Sequence, residues 1–203
     1  MVLKIYHVPG TRAIRVVWLC EELELPYERV PVDFSPEYRA SAEWRRLNPV
    51  GKVPAMTDGD LILFESGAMV EYILDRYGEG RLRPTPGSAA HAHYLQWSWF
   101  AEATFARPLG EIVNHRRVFG DESNARVLEE MRERSRICIQ AIDDALDGQD
   151  YLVDGGFSAA DIMMGYSIFL AHWVKAMDEG EFANVAAYYA RLRTRPAFAR
   201  TMA

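Results

Sequence analysis

The residues best suited to chemistry in this chain form two short clusters. They are Asn48-Pro49-Val50-Gly51-Lys52-Val53-Pro54 and, one short hairpin later, Glu65-Ser66. Pro54 precedes an apolar hairpin, Ala55-Met56 and then Leu61-Ile62-Leu63-Phe64. A proline cannot donate a ladder hydrogen bond, which suits it to a turn or a strand entry, and X–Pro bonds are the common site of cis peptides. A cis Val53–Pro54 bond would reverse the chain and turn the N–H and C=O of Val53 outward. An extended peptide can pair with such groups as an added strand. Ser66 stands where the strand pattern ends and the helical recurrence of Met69, Val70, Ile73 and Leu74 begins. It is placed to cap that helix, whose first-turn N–H groups attract a carboxylate. Glu65 beside it can pair with an ammonium group. Taken singly, Ser66 reads as a cap and Glu65 as a surface acid. Together, behind the Val-Pro element, they describe recognition of the amine and carboxylate of an α-amino acid end.

A βαβ pattern positions these clusters. Leu3–His7 reads as a strand, Pro9-Gly10 as a turn, and Ile14, Val17, Trp18 and the run from Cys20 to Leu23 as the apolar face of a helix. Tyr27–Val32, introduced by Pro26, reads as a second strand. The polar stretch Ser35–Leu47 holds a short helix around Glu43–Leu47. The hairpin turns at Asp58-Gly59-Asp60, and a helix Ser66–Tyr77 completes the unit. Two parallel strands with a right-handed crossover, followed by an antiparallel hairpin, give a thioredoxin-like α/β domain over residues 1–77. Gly78-Glu79-Gly80 and Arg83-Pro84-Thr85-Pro86-Gly87 break every periodicity, so 78–87 reads as a linker. Residues 88–203 read as an all-helical domain, with helices over Ser88–Asn114, Ser123–Leu146, Ser158–Lys175 and Val185–Thr194. Pro108 is expected to kink or break the first of these, and Pro196 to open a last short helix. Behind the loop Asp154-Gly155-Gly156, Ser158 and Asp161 form a capping box, with Phe157 stapling onto Ile162. As a cap alone, Asp161 would contribute about 1–2 kcal/mol.

Bulk properties narrow the class. The chain has 203 residues, 49% hydrophobic and 26% charged, ample for a globular core. A net charge of −6 argues against nucleic acid or an anionic membrane as the main partner. No apolar run approaches the roughly 20 residues needed to span a bilayer, and the start Met1–Tyr6 is strand-like rather than a signal peptide. Cys20 and Cys138 lie in helical patterns among apolar neighbours, outside any Cys-x-x-Cys pair, and read as buried thiols. These features suggest a cytoplasmic protein. His91, His93 and His115 show no metal-site spacing, so no metal is expected.

Val53-Pro54 and Glu65-Ser66, in this order and separation, resemble the glutathione transferase family, and the resemblance extends over nearly the whole chain. It implies that Val53-Pro54 pairs with the cysteinyl part of glutathione, that Glu65 and Ser66 hold its γ-glutamyl end, and that Lys52 neutralises its glycine carboxylate. Glutathione chemistry needs the thiolate, so the enzyme must lower the thiol pKa and place an electrophile beside it. The resemblance puts the sulfur's donor at the end of the first strand or in the loop after it. Thr11, following Pro9-Gly10, takes the place of the serine of theta-like and fungal-type members; Tyr6 lies nearer the tyrosine of the alpha, mu and pi classes. Arg12 can supply a favourable field, assisted by the helix dipole.

Arg12 also stands where the beta class carries cysteine, which argues against a mixed disulfide on the enzyme. The Ser-Ser-Cys-Ser run of the maleylacetoacetate isomerase branch is absent. Arg15–Leu23 with Pro26-Tyr27-Glu28 looks most like the fungal and bacterial branch. The implied electrophile pocket lies between the domains, lined by the loop after the first strand and by the aromatic-rich segment His91–Phe105. Trp99 and Phe105 are the candidates to face it, and Glu102 to reach a partner's glutathione. Glutathione as co-substrate, a hydrophobic electrophile and a homodimer are thus the implied partners. A non-catalytic binding or regulatory module, or a glutathione-dependent peroxidase, etherase or dehalogenase, are the alternatives.

Overall fold

Strand β1 (Leu3–His7) buries Leu3 and Ile5 and carries the chain through the centre of a mixed sheet. It feeds helix α1 (Ala13–Glu22), which crosses to strand β2 (Tyr27–Pro31), parallel to β1 with Leu3 opposite Tyr27. A parallel pair cannot be closed by a tight hairpin, so the crossover helix is obligatory. Strands β3 (Ala55–Asp58) and β4 (Leu61–Phe64) form the hairpin, with β3 antiparallel to β1, giving the order β2-β1-β3-β4. The computed structural model describes residues 2–178 and 180–202.

Between β2 and β3 the sequence suggested one short helix, and the structure has two. Helix α2 (Pro36–Ala40) opens on Ser35, whose hydroxyl accepts from Tyr38 N, with proline in the first turn. Helix α3 (Ala42–Leu47) opens on Ser41, whose hydroxyl accepts from Trp44 N. Each serine is an N-cap, and the first was passed over because the stretch is too short to show an apolar period. Helix α4 (Ser66–Tyr77) buries Met69, Val70, Ile73 and Leu74. The hydroxyls of Tyr72 and Tyr77 both donate to Asp58 Oδ2, which ties α4 back onto the hairpin that leads into it.

The second part of the chain is helical: α5 (Ala89–Trp99), α6 (Ala106–Phe119), α7 (Ala125–Ala145), α8 (Ala159–Trp173) and α9 (Ala183–Arg193). Pro108 does not break its helix. It sits in the first turn of α6, where an N–H is dispensable. The interruption lies earlier, in a π-helical turn Phe100–Thr104, where Phe105 N donates to Phe100 O at 2.9 Å.

Two compact units result. One runs to Leu82 and takes in the segment from Arg195; the other is Arg83–Thr194. The boundary falls inside the expected linker. The last helix, α10 (Pro196–Met202), departs from the expected division into 1–77 and 88–203, because it packs on α1, with Phe198 edge-on to Trp18 at 4.9 Å. Among the described residues no helix is long and apolar enough to cross a membrane.

The capping box of α8 is present and does more than cap. Asp161 is fully buried, and its Oδ2 accepts from Ser158 N (2.7 Å) and Ser158 Oγ (3.1 Å). Its Oδ1 accepts from Leu152 N (3.1 Å) and from the Tyr188 hydroxyl on α9 (2.8 Å). Burial pushes the carboxyl pKa up, and these four donors pull against it. Asp161 therefore joins a loop and two helices, and its removal strands two buried backbone N–H groups at about 1–3 kcal/mol each. Asp161→Ala should cost about 3 kcal/mol in urea unfolding, above the value of a simple cap. Asp161→Asn should cost nearly as much, because an amide NH2 would oppose a donor. A midpoint unchanged in both variants would contradict this role.

Candidate functional site

The site begins at the end of α3, with the buried side chain of Asn48. Its Nδ2 donates to Pro54 O (3.2 Å), its Oδ1 accepts from Val50 N (3.2 Å), and its carbonyl accepts from Gly51 N (2.9 Å). One amide thus closes the loop that delivers Val53, and the Val53–Pro54 peptide is cis. Gly51 has φ +64°, and a Cβ there would stand 2.7 Å from the Arg39 carbonyl, so the loop requires glycine.

The second cluster is held just as tightly. Ser66 is the first residue of α4 rather than its cap; Glu65 occupies the cap position at φ 77°, ψ 109° with no side-chain capping bond. For a non-glycine residue that backbone costs about 1–3 kcal/mol. Its carbonyl accepts from Met69 N at 3.0 Å, which starts the helix. Glu65 is exposed and Ser66 buried. Beneath Ser66 lies Arg15, fully buried on α1, whose Nη1 donates to Ser66 Oγ at 3.3 Å. A guanidinium in this low-dielectric position adds positive potential where α4 already presents free N–H groups.

Lys52, Val53, Pro54, Glu65 and Ser66 line one cleft of about 260 Å³, together with Arg12 and Asn48. Arg12 stands at the start of α1, so two helix N-termini meet this cleft. Its charges are two cations and one anion, a match for a ligand with carboxylates and one ammonium.

The candidates for thiol activation are placed differently from one another. Arg12 borders the cleft. Thr11 stands one residue before it, with its hydroxyl donating to Val8 O at 2.7 Å and accepting weakly from Ala13 N at 3.4 Å. Tyr6 is half-buried in β1, its ring edge-on to Trp44 at 6.1 Å, and it does not line the cleft. Phe105 is fully buried in the core of the second unit, which removes it as a pocket-facing residue, whereas Trp99 is 66% exposed. Burial raises the pKa of both thiols, Cys20 most of all, which leaves them inert. His115 accepts from Asn124 N through Nε2 and His91 stacks on Tyr94. Among the described residues no His, Cys, Asp and Glu cluster could hold a metal.

Two residues of the site have no role assigned from sequence. Asn48 stands in the Asn48–Pro54 cluster, but its bracing of the loop does not show there. Arg15 had a visible signal, an arginine inside the apolar run of a helix, which as a buried cation must serve a specific partner.

Known proteins resemble this chain in sequence and fold. The family model for the glutathione S-transferase N-terminal domain matches residues 1–75. Glutathione S-transferase 3 of Zea mays is 28% identical over 207 residues, covering 99% of this chain and 93% of the maize protein. The crystal structure of the glutathione transferase URE2P8 from Phanerochaete chrysosporium with oxidized glutathione superposes at a TM-score of 0.88 and 28% identity, covering 98% of this chain and 92% of that one. A Pseudomonas fluorescens family member with two glutathione bound gives 0.87 and 26%, covering 99% and 92%. Residues 1–75 thus carry the glutathione S-transferase N-terminal domain, and proteins named glutathione S-transferase match the chain along its whole length, which supports a transferase of that family.

Proposed function

We propose that this protein binds glutathione in the Arg12–Ser66 cleft and that the thiolate attacks a hydrophobic electrophile, the whole glutathionyl group bonding to it through sulfur as the electrophile's leaving group departs. One observation carries the reading: Val53 beside a cis proline, Lys52, Glu65, Ser66 and Arg12 converge on a single cleft. Glu65 pairs with the γ-glutamyl ammonium, while Ser66 and the first N–H groups of α4 receive its carboxylate. Val53 offers the backbone for the cysteinyl segment, and Lys52 faces the glycine carboxylate. The sulfur then lies toward the start of α1.

Arg12 is the group best placed to favour the thiolate, since it lines the cleft and adds to the positive end of α1. The Thr11 hydroxyl proton is engaged by the Val8 carbonyl and must exchange that acceptor for sulfur before it can contribute. Retention of Glu65, Ser66, Arg12 and a hydroxyl at Thr11 favours turnover over a purely binding module. A homodimer fits the exposed apolar side chains on and near the hairpin, Val50, Ile62 and Phe64, at 54%, 45% and 39% exposure, which a second copy would cover.

Calorimetric titration with reduced glutathione tests the cleft. Saturable binding is expected, weakened about tenfold, or ~1.4 kcal/mol, in Glu65→Ala and in Ser66→Ala. A folded protein that takes up no glutathione would end this reading. The absorbance of the bound thiolate against pH tests the activation. Arg12→Gln should raise the bound thiol pKa by about one unit, Thr11→Ala by less, and Tyr6→Phe should leave it in place. An equal pKa in wild type and Arg12→Gln would take Arg12 out of the mechanism.

A further inference from the structure

A second concavity of about 250 Å³ lies on the same unit, and the turn after β1 borders both clefts. Val8, Pro9 and Gly10 line the second, and Arg12 lines the first. Two residues of chain span at most about 7 Å, so the two clefts adjoin the same short turn. Its walls are apolar: Val8 and Pro9 on the turn, Ile14 and Val17 on α1, and Met202 on α10. Its polar groups are His7, Thr201 and Arg29. The Thr201 hydroxyl donates to Ala197 O at 2.8 Å, which leaves it only lone pairs to offer.

Arg29 is held on one side and open on the other. Its Nε donates to the Tyr27 hydroxyl (2.9 Å), and its Nη2 to Glu21 Oε1 (3.2 Å) and Arg200 O (2.8 Å). Among the described residues Nη1 makes no hydrogen bond, and neither does the His7 imidazole. Glu21 also accepts from Arg200, so one carboxylate faces two guanidinium groups and the cluster keeps a positive charge. A cation whose orientation is fixed by three bonds, at the polar end of an apolar cavity, is a specificity element.

We propose that this cavity receives the electrophile and that Arg29, with His7, selects electrophiles carrying a carboxylate on an apolar body about the size of one ring. The proposal rests on the transferase reading. With a chloronitrobenzoate, glutathione loses its thiol proton to solvent, and the sulfur bonds to the ring carbon bearing chlorine. The carbon–chlorine bond then breaks, and chloride leaves with the bonding pair.

The test compares 4-chloro-3-nitrobenzoate with its neutral analogue 4-chloro-3-nitrobenzamide at saturating glutathione, each kcat/KM divided by the uncatalysed rate. Wild type should favour the benzoate at least tenfold. Arg29→Gln should abolish that preference chiefly through the KM of the benzoate, and Arg29→Lys should restore part of it. Met202→Glu, at an exposed α10 position that sets an anion against the incoming carboxylate, should depress the benzoate more than the benzamide and does not touch the Arg29 network. Glutathione affinity, measured by calorimetry, should stay within twofold in all three variants. No preference in wild type, no turnover of the benzoate by protein that binds glutathione, or equal losses for both electrophiles in Arg29→Gln and Met202→Glu would each overturn the proposal while leaving the glutathione cleft standing. Absence of glutathione binding in wild type would instead overturn the transferase reading, and this proposal with it.

Discussion

The first unit depends on the placement of β1 between a parallel and an antiparallel neighbour. Its ladder with β2 demands the crossover helix α1, and its ladder with β3 sets the level at which the Val53-Pro54 loop enters the sheet. The same strand ends at His7 and releases the turn Val8–Arg12, which borders both clefts. A strand paired on both edges cannot shift register without exposing Leu3 and Ile5. The turn is therefore anchored by the most constrained strand of the sheet.

Around that turn, the loops that line the first cleft bear a conformational cost. Glu65 adopts a positive φ, and Gly51 lies where any side chain would meet the Arg39 carbonyl. Such conformations persist only when their surroundings over-determine them. Asn48 does so from one side with bonds to Val50 and Pro54; Asp58, gripped by Tyr72 and Tyr77, does so from the other by fixing α4 to the hairpin. Hydrogen bonds from Tyr77 and Tyr72 hold the Asp58 carboxyl below its ordinary pKa, so this brace is present above the ordinary carboxylate range and weakens only as the pH falls through that lowered value.

The sequence disclosed most where local chemistry and pattern coincide. Leu3–His7 and Ser66–Tyr77 were legible because apolar periodicity and flanking breakers agree, and Ser158-x-x-Asp161 because a cap is a local motif. Serine caps on segments of five or six residues gave no period to read, so α2 was passed over. Pro108 was taken for a breaker because its position within the first turn of α6 depends on where the π-helical turn falls, which composition does not record. Lys52, Val53, Pro54, Glu65 and Ser66, which stand out by type and spacing, line one cleft. Asn48 acts through Pro54 within its own loop and Arg15 through the distant Ser66, and the partners are what give them meaning. Phe105 shows the converse: an aromatic side chain in an aromatic-rich helix carries no mark that separates core from pocket.

The affiliation of α10 follows from charge as much as from packing. Arg195 forms a two-bond pair with Glu22, which also accepts from Trp18 Nε1, and Arg200 reaches both the carboxylate and the carbonyl of Glu21. Burial alone would raise the Glu21 carboxyl, yet hydrogen bonds from Tyr27, Arg200 and Arg29 bring its pKa below the ordinary range. Isolated surface pairs contribute little, but here five side chains share two acidic groups at the end of α1, over the ring contact of Phe198 with Trp18. The arrangement has a geometric consequence. Arg200 ties α10 to Glu21, and Arg29 donates both to Glu21 and to the Arg200 carbonyl, so the helix supplying Met202 to the cavity wall and the cation at its polar end are linked by one network. Loosening Arg200 would thus alter the shape and the charge of that cavity together, while the loop that carries Val53 is braced independently through Asn48.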